Sequence, residues 1–305
     1  MKNVNELMNK FVIISDSSCC LDSKMQKEFG VADILPMHIT FMGKDYDCNG
    51  DWTMFDPKEY YDHMRNGEIG KSQLINKEQY KTSFKKFLDQ GFDILSISCT
   101  GALSASVRES YIARDELAPL YPDKKIVCVD SANCTFSLAM ILKEANRLRS
   151  EGKTIEEIVK WIDENKLYYN EVGTTEKLTY LRAAGRISAS AAFFGGLLSV
   201  KPIVVYDEEG HNVAVEKVKG RKNSFEAIAR YIKKYGIIEK ENNIYIAHAD
   251  CLEDAKLVSE MIQNLFDIKI NFHFGYIEPG VGSSVGPGTL ILSFYGSPEM
   301  RRLNK

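Results

Sequence analysis

The sequence predicts an α/β fold in two domains, the N-terminal one with a mainly parallel sheet and helices on both faces, the C-terminal one with a mixed sheet and helices. Three observations predict it. Apolar runs ending at Ser15, Ser98 and Val129 each hand the chain to a Ser-containing loop and then to a helical pattern, which is how parallel strands are connected. Asp207-Glu-Glu-Gly210 joins two further apolar runs as a hairpin, so the second half contains antiparallel pairs. At 305 residues the chain has room for two cores, read here as domains 1–165 and 166–305 with a ligand pocket between them.

In the first half, Phe11–Ser15 reads as a strand, Asp16-Ser-Ser-Cys-Cys20 as a polar loop, and Asp22–Phe29 as a helix closed by Gly30. Ile34–Phe41 is extended, with Pro36 placing it near an edge, and Gly43 with Asp45 marks a turn. Asp56-Pro57 opens a helix that runs to about Arg65, and Gly70-Lys-Ser-Gln73 reads as a polar segment between helices. Asn76 with Gln79 forms a capping box for a helix whose apolar face carries Tyr80, Phe84, Phe87 and Leu88. The strand Asp93–Ser98 runs through small residues into the helix Val107–Leu117. There Thr100, Ser104 and Ser106 offer hydroxyls that either meet a ligand or turn and cap the chain. Lys125–Val129 is a strand, Phe136–Ser150 a helix, and Thr154 with Glu157 caps the next one.

In the second half an extended run reaches Thr175 and a helix covers Glu176–Ala183, followed by a small-residue helical segment, Ala189–Leu198. Pro202–Tyr206 and Asn212–Val218 are the hairpin strands, and Asn223 with Glu226 caps a helix. Asn243–Ala247 is a strand, and Leu252–Phe266 a helix with Leu257, Val258, Met261, Ile262 and Leu265 inward. Ile268–Phe274 is a strand, Glu278–Gly288 a loop, and Thr289–Phe294 the last strand.

The net charge of −3 argues against a general nucleic-acid binder, which needs a basic face. The first ten residues lack the apolar core of a signal peptide and no later apolar run is long enough to span a bilayer, so a cytoplasmic protein is expected. Seven cysteines, odd in number and without C-x-x-C spacing, point to reduced thiols rather than a metal site, and no cofactor is expected. Gly282-Ser-Ser-Val-Gly286 satisfies the Gly-x-Ser-x-Gly pattern of hydrolases. It follows Glu-Pro-Gly and runs into a strand, not out of one, so a flexible loop over a pocket is expected and an enzyme is not. His248, at the end of a strand, is a further candidate site residue.

Leu178-Thr-Tyr-Leu181, Gly185-Arg-Ile-Ser188, Leu197-Leu198 and Lys201-Pro-Ile203 stand at spacings that resemble those of the DegV family, and Asp16-Ser-Ser18, Asp130-Ser131 and Val285-Gly-Pro-Gly288 resemble its other motifs. The resemblance covers about Phe11 to Phe294. It implies a bacterial two-domain protein that binds a long-chain fatty acid or related lipid and presents the carboxylate to a separate fatty acid kinase. The site residues it implies are Lys71, Ser72, Gln73, Thr100, Gly101, Ser104, Arg186, Ser284 and Gly286. Three of these depart from the family. Lys71 replaces the Thr of Thr-Ser-Gln-Pro, Gly101 falls where the second Ser of Ser-Ser-Gly-x-Ser-Gly stands, and Ser284 replaces a His. Lys71 is expected either to pair with an anionic head group or to lie in solvent. The basic run Lys217, Lys219, Arg221 and Lys222 is either a docking face for an acidic partner or a solvated hairpin end. The competing expectation is an enzyme or binder acting on a small polar or phosphorylated compound at the same serine-rich cleft.

Overall fold

The computed structural model describes residues 10–187 and 199–303. The small-residue segment Ala189–Leu198, with Ser188 and Leu197-Leu198, lies outside the described residues. In chain order the elements are β1 (Phe11–Asp16), α1 (Ser23–Glu28), β2 (Val31–Leu35), β3 (His38–Phe41), β4 (Lys44–Asp47), α2 (Pro57–Arg65), β5 (Lys71–Gln73), α3 (Lys77–Leu88), β6 (Asp93–Ser98), α4 (Ser106–Leu117), β7 (Ile126–Asp130) and α5 (Thr135–Ser150). Then come α6 (Ile155–Asn165), β8 (Tyr169–Thr174), α7 (Thr179–Ala183), β9 (Val200–Tyr206), β10 (Asn212–Lys219), α8 (Arg221–Tyr235), β11 (Asn243–His248), α9 (Leu252–Gln263), β12 (Asn271–Tyr276), α10 (Pro279–Val285) and β13 (Leu290–Tyr295).

The strands ending at Asp16, Ser98 and Asp130 do lie side by side. A four-stranded sheet of order β2-β1-β6-β7 is parallel throughout. Ile13, Ile14, Ile94, Leu95 and Ile97 are fully buried in it, as the covered faces of a parallel sheet require. The second half forms a six-stranded mixed sheet of order β10-β9-β8-β13-β11-β12, with β11 and β12 parallel and the other pairs antiparallel. Between the two lies α5, buried continuously from Thr135 to Leu142 and packed on β1 of one sheet and on β8, β11 and β13 of the other. Among the described residues no helix is long and apolar enough to cross a membrane.

Several boundaries differ from the sequence reading for identifiable reasons. Lys71–Gln73 is a strand, not a linker, because β3 has an open edge to which Lys71, Ser72 and Gln73 pair opposite Thr40, Ile39 and His38. Asn223 is not an N-cap. The chain leaves β10 through Gly220, whose positive φ lets α8 begin at Arg221. In α9, Val258 and Ile262 face the core, but Leu257 and Leu265 are 40% and 41% exposed. Glu176 precedes α7, which begins only at Thr179. In the mixed sheet, β12 is Asn271–Tyr276, starting three residues later than expected.

The two sheets are joined by a buried cation. Arg301 follows β13 in a short 3₁₀ turn and donates to Ala132 O (3.0 Å), Asn133 Oδ1 (2.5 Å) and Tyr169 O (2.5 Å), with Asp207 O at 3.3 Å. Its guanidinium lies 5.4 Å from the centre of the Tyr206 ring. Burial pushes its pKa down to about 10, so the group stays charged at neutral pH. Arg301→Met would leave these acceptors buried without donors, at roughly 1–3 kcal/mol each. It is expected to lower unfolding stability by about 3 kcal/mol or more in urea titrations. Arg302→Met, at a half-exposed guanidinium paired with Glu208, is expected to leave it nearly unchanged.

Candidate functional site

Acidic side chains at the carboxyl ends of β1 and β7 tie the surrounding loops together. Asp16 accepts from Ser18 N (3.2 Å), from the Ser18 hydroxyl, and from Cys99 N (2.8 Å). Burial pushes its carboxyl pKa up against these bonds. Asp130 accepts from Ala132 N (2.9 Å) and Gly101 N (3.0 Å). Thr100 is fully buried, donates from N to Asn133 O (2.9 Å), and donates from Oγ1 to Glu209 O (3.2 Å). Thr100 and Gly101 therefore build the turn and its seam with the β9–β10 hairpin, and of this loop it is Ser104, with Leu103, that faces the cleft. The helix-capping alternative holds in part: Ser104 Oγ accepts from Ser106 N (3.3 Å), and Ser106 Oγ accepts from Ile75 N (3.0 Å).

Three cavities run in series through this cleft. The outer one, ≈ 600 Å³, is lined by Lys71, Ser72, Lys177, Tyr180, Arg186 and Ser284. Ser72, Arg186 and Ser284 also line the middle one, ≈ 90 Å³, together with Ser18, Gln73 and Ser104. Leu103, Leu181, Val281 and Val285 line both the middle cavity and the inner one, ≈ 60 Å³, whose floor is Val204, Gly173 and Ile291 of the mixed sheet. The cations thus thin out inward, from Lys71, Lys177 and Arg186 in the outer cavity to Arg186 alone in the middle one and none in the inner one. Lys71, Lys177 and Arg186 form no ion pair among the described residues, and Arg186 Nη1 donates only to Ala184 O (2.6 Å). The hydroxyls of Ser72 and Ser284 have no hydrogen-bond partner among the described residues, whereas Gln73 donates to Thr40 Oγ1 (3.2 Å). An arrangement of uncommitted cations and hydroxyls in front of an apolar passage can hold an anionic group attached to a hydrocarbon chain.

The glycine-rich segment expected as a flexible loop is helix α10. Pro279 stands at its first position, and the Glu278 carboxyl accepts from Gly280 N (2.8 Å) and Val281 N (2.6 Å). Tyr60 and Tyr61 of α2 donate to Pro279 O (3.0 Å) and Ile277 O (2.9 Å). Side chains at Gly282 and Gly286 would run into the Tyr61 hydroxyl and the Tyr180 ring, so both glycines serve close packing. Gly286 is therefore behind the wall, and Ser284 is on it. Ser284 sits within a helix and has no histidine partner among the described residues, which is not the geometry of a nucleophile elbow. His248 lies off these cavities, its ring centre 4.4 Å from that of Tyr276 and tilted against it, its pKa pushed down to about 4 by burial against the opposing pull of Asp250. Arg221 of the basic run turns inward, donating to Asp254 Oδ2 (3.0 Å) and Gly288 O (2.5 Å). Sequence reasoning missed Ser18, Lys177 and the inner wall, because these residues reach the cleft only through the docking of one sheet on the other.

A parallel and a mixed sheet, with the small antiparallel sheet β4-β3-β5 beside a hydroxyl-lined cleft, define an α/β class of protein. The model of the DegV family matches residues 10–296. A DegV domain-containing protein of Clostridium perfringens is 34% identical over 294 residues, covering 96% of this chain and 99% of its own. The chain belongs to the DegV family. Its fold is shared by a fatty-acid-binding DegV family protein of Thermus thermophilus, with a TM-score of 0.82 at 21% identity, covering 94% of this chain and 99% of that one. It is shared equally by a stearic-acid-binding protein of Eubacterium ventriosum, with a TM-score of 0.82 at 23% identity, covering 95% and 99%.

Glu278 generates a pH prediction. Burial outweighs the two backbone N–H bonds and pushes its carboxyl up to about 8 in the folded state, against about 4.3 in an unfolded chain. A raised folded pKa gives stability that is present below the unfolded value and lost as pH rises through the folded one. The group therefore contributes a loss of roughly 1.4 kcal/mol per pH unit between those values. Urea titrations from pH 5 to 9 should show Glu278→Gln losing less stability over that range than the parent, and parallel profiles would contradict the assignment.

Proposed function

We propose that the protein binds a long-chain fatty acid, with the carboxylate at the Ser72, Ser104 and Ser284 hydroxyls beside Lys71 and Arg186 and the chain running into the inner cavity. The observation that carries this is the inward loss of cations across three cavities that share lining residues, from three in the outer one to none in the inner one. Fatty acid and stearic acid binding by the structurally similar proteins supports it. Burial of the chain supplies about 0.8 kcal/mol per CH₂, so affinity comes chiefly from the apolar passage and the head group sets its direction. We further propose that the carboxylate is presented to a fatty acid kinase, a role supported by the outer cavity widening at the head-group end. The cation at Lys71 then takes the place of hydrogen-bonding groups that the family carries at this position.

The test compares stearate with its methyl ester by equilibrium binding. Arg186→Met and Lys71→Met each remove a charge and keep the apolar stem. A charge-assisted hydrogen bond is worth roughly 1.5–3 kcal/mol, so each variant should weaken stearate about ten- to 150-fold while changing the ester less than about threefold. Equal losses for both ligands would mean that the residue acts through packing. Failure of the parent to bind either ligand would refute the fatty-acid reading.

A further inference from the structure

We propose that the inner cavity is a polar subsite built on Glu171, which selects acyl chains bearing an oxygen function, a hydroxyl above all, away from the carboxyl end. The inference rests on the fatty-acid reading. Alternation along β8 puts Glu171 and Gly173 on the face of the mixed sheet that looks into the cleft, while Val172 faces the opposite core. Glu171 is 5% exposed and lines the cavity beside Leu181, Val204 and Ile291. Hydrocarbon walls alone would suffice for a plain alkyl chain. A carboxyl among them is unfavourable unless its oxygens find donors.

The donors present leave that need incompletely met. Thr135 Oγ1, Ser137 N (3.2 Å) and Ser293 Oγ (2.9 Å) all converge on one oxygen, Oε1. The Tyr206 and Ser137 hydroxyls also neighbour the carboxyl; that of Ser137 gives its one proton to Cys134 O (2.7 Å), which leaves Tyr206 as the further donor. A carboxylate has about four acceptor positions, two per oxygen, so Oε2 keeps one for a ligand even when Tyr206 occupies the other. A hydroxyl on the chain can donate to it. A bare methylene cannot, and seating one there displaces water without replacing its hydrogen bond. Sites built to hydrogen-bond a ligand hydroxyl discriminate strongly against the analogue that lacks it.

The experiment measures dissociation constants of the parent for stearate, 2-hydroxystearate, 10-hydroxystearate, 12-hydroxystearate and 18-hydroxystearate. At least one acid hydroxylated beyond the second carbon should bind tenfold or more tightly than stearate. 2-Hydroxystearate, whose hydroxyl stays beside the carboxylate, should gain less than threefold. Glu171→Leu should abolish the preference and bind stearate as well as or better than the parent does. Equal affinities across the set, or a preference that survives Glu171→Leu, would overturn the proposal and leave the fatty-acid reading standing. No binding of any acid by the parent would overturn both. Should Glu171→Leu fail to fold, the parent's ratios alone decide, since a purely structural Glu171 gives no hydroxyl preference.

Discussion

A buried cation with no carboxylate in ion-pair contact has to be solvated chiefly by the chain itself, and the way this protein meets that demand at Arg301 joins the loops around the cleft. Its bonds gather Ala132 and Asn133 from the loop after β7, Tyr169 from the start of β8, and Asp207 from the β9–β10 turn. Those are the points at which the parallel sheet meets the mixed one. The loop accepts left-handed backbone at Ala132 and at β-branched Thr135, conformations that cost about 1–3 kcal/mol each and persist only where their surroundings impose them. At Gly210 a side chain would strike Thr100 and the Ala132 carbonyl, so the hairpin sits directly on the loop.

Away from that seam, Ser72 of β5, Ser284 of α10, Ser104 and Arg186 line the middle cavity together. Ser72 and Ser284 are held by elements with a separate purpose: β5 fills the open edge of β3, and α10 is clamped by Tyr61 and Tyr180 against Gly282 and Gly286 and by Tyr60 at Pro279 O. The site residues are therefore fixed by the packing of their neighbours; the Ser72 and Ser284 hydroxyls stay uncommitted among the described residues, while Ser104 bonds Ser106 and Arg186 bonds Ala184 O. Behind them the inner cavity is lined by Leu103, Leu181, Val281 and Val285 and by apolar residues of the mixed sheet, with Gly173, lacking a side chain, at its floor.

Much of the fold was legible because it rests on local signals. The strand–loop–helix units, the capping boxes at Asn76 and Thr154, and the Asp207–Gly210 hairpin all stand as read. What could not be read depends on distant partners. Lys71–Gln73 is too short and too polar to show alternation, and it is a strand only because Thr40, Ile39 and His38 need partners. Pro279–Val285 has the composition of a loop, and its glycines make sense only once Tyr61 and Tyr180 are in place. Its N-cap signal, Glu278 before Pro279, was present in the sequence. At the site, the family motif around Thr100 and Gly101 pointed to the right loop, but two of its members turn inward to Glu209 and Asp130 and leave Ser104 at the cavity. Glu171 gave no signal, since a lone carboxylate in a strand ordinarily faces solvent.

The central claim is that one path leads from an uncommitted group of cations and hydroxyls to the floor of the mixed sheet, and that an acyl chain follows it head outward. A crystal structure of the protein with 9,10-dibromostearate tests it most directly, because the bromines locate the chain by anomalous scattering. The account predicts the carboxylate within hydrogen-bond reach of Ser72, Ser104 or Ser284, with the chain passing Leu181 and Val285 toward Gly173. A carboxylate found against Glu171, or a chain lying outside the three cavities, would contradict it.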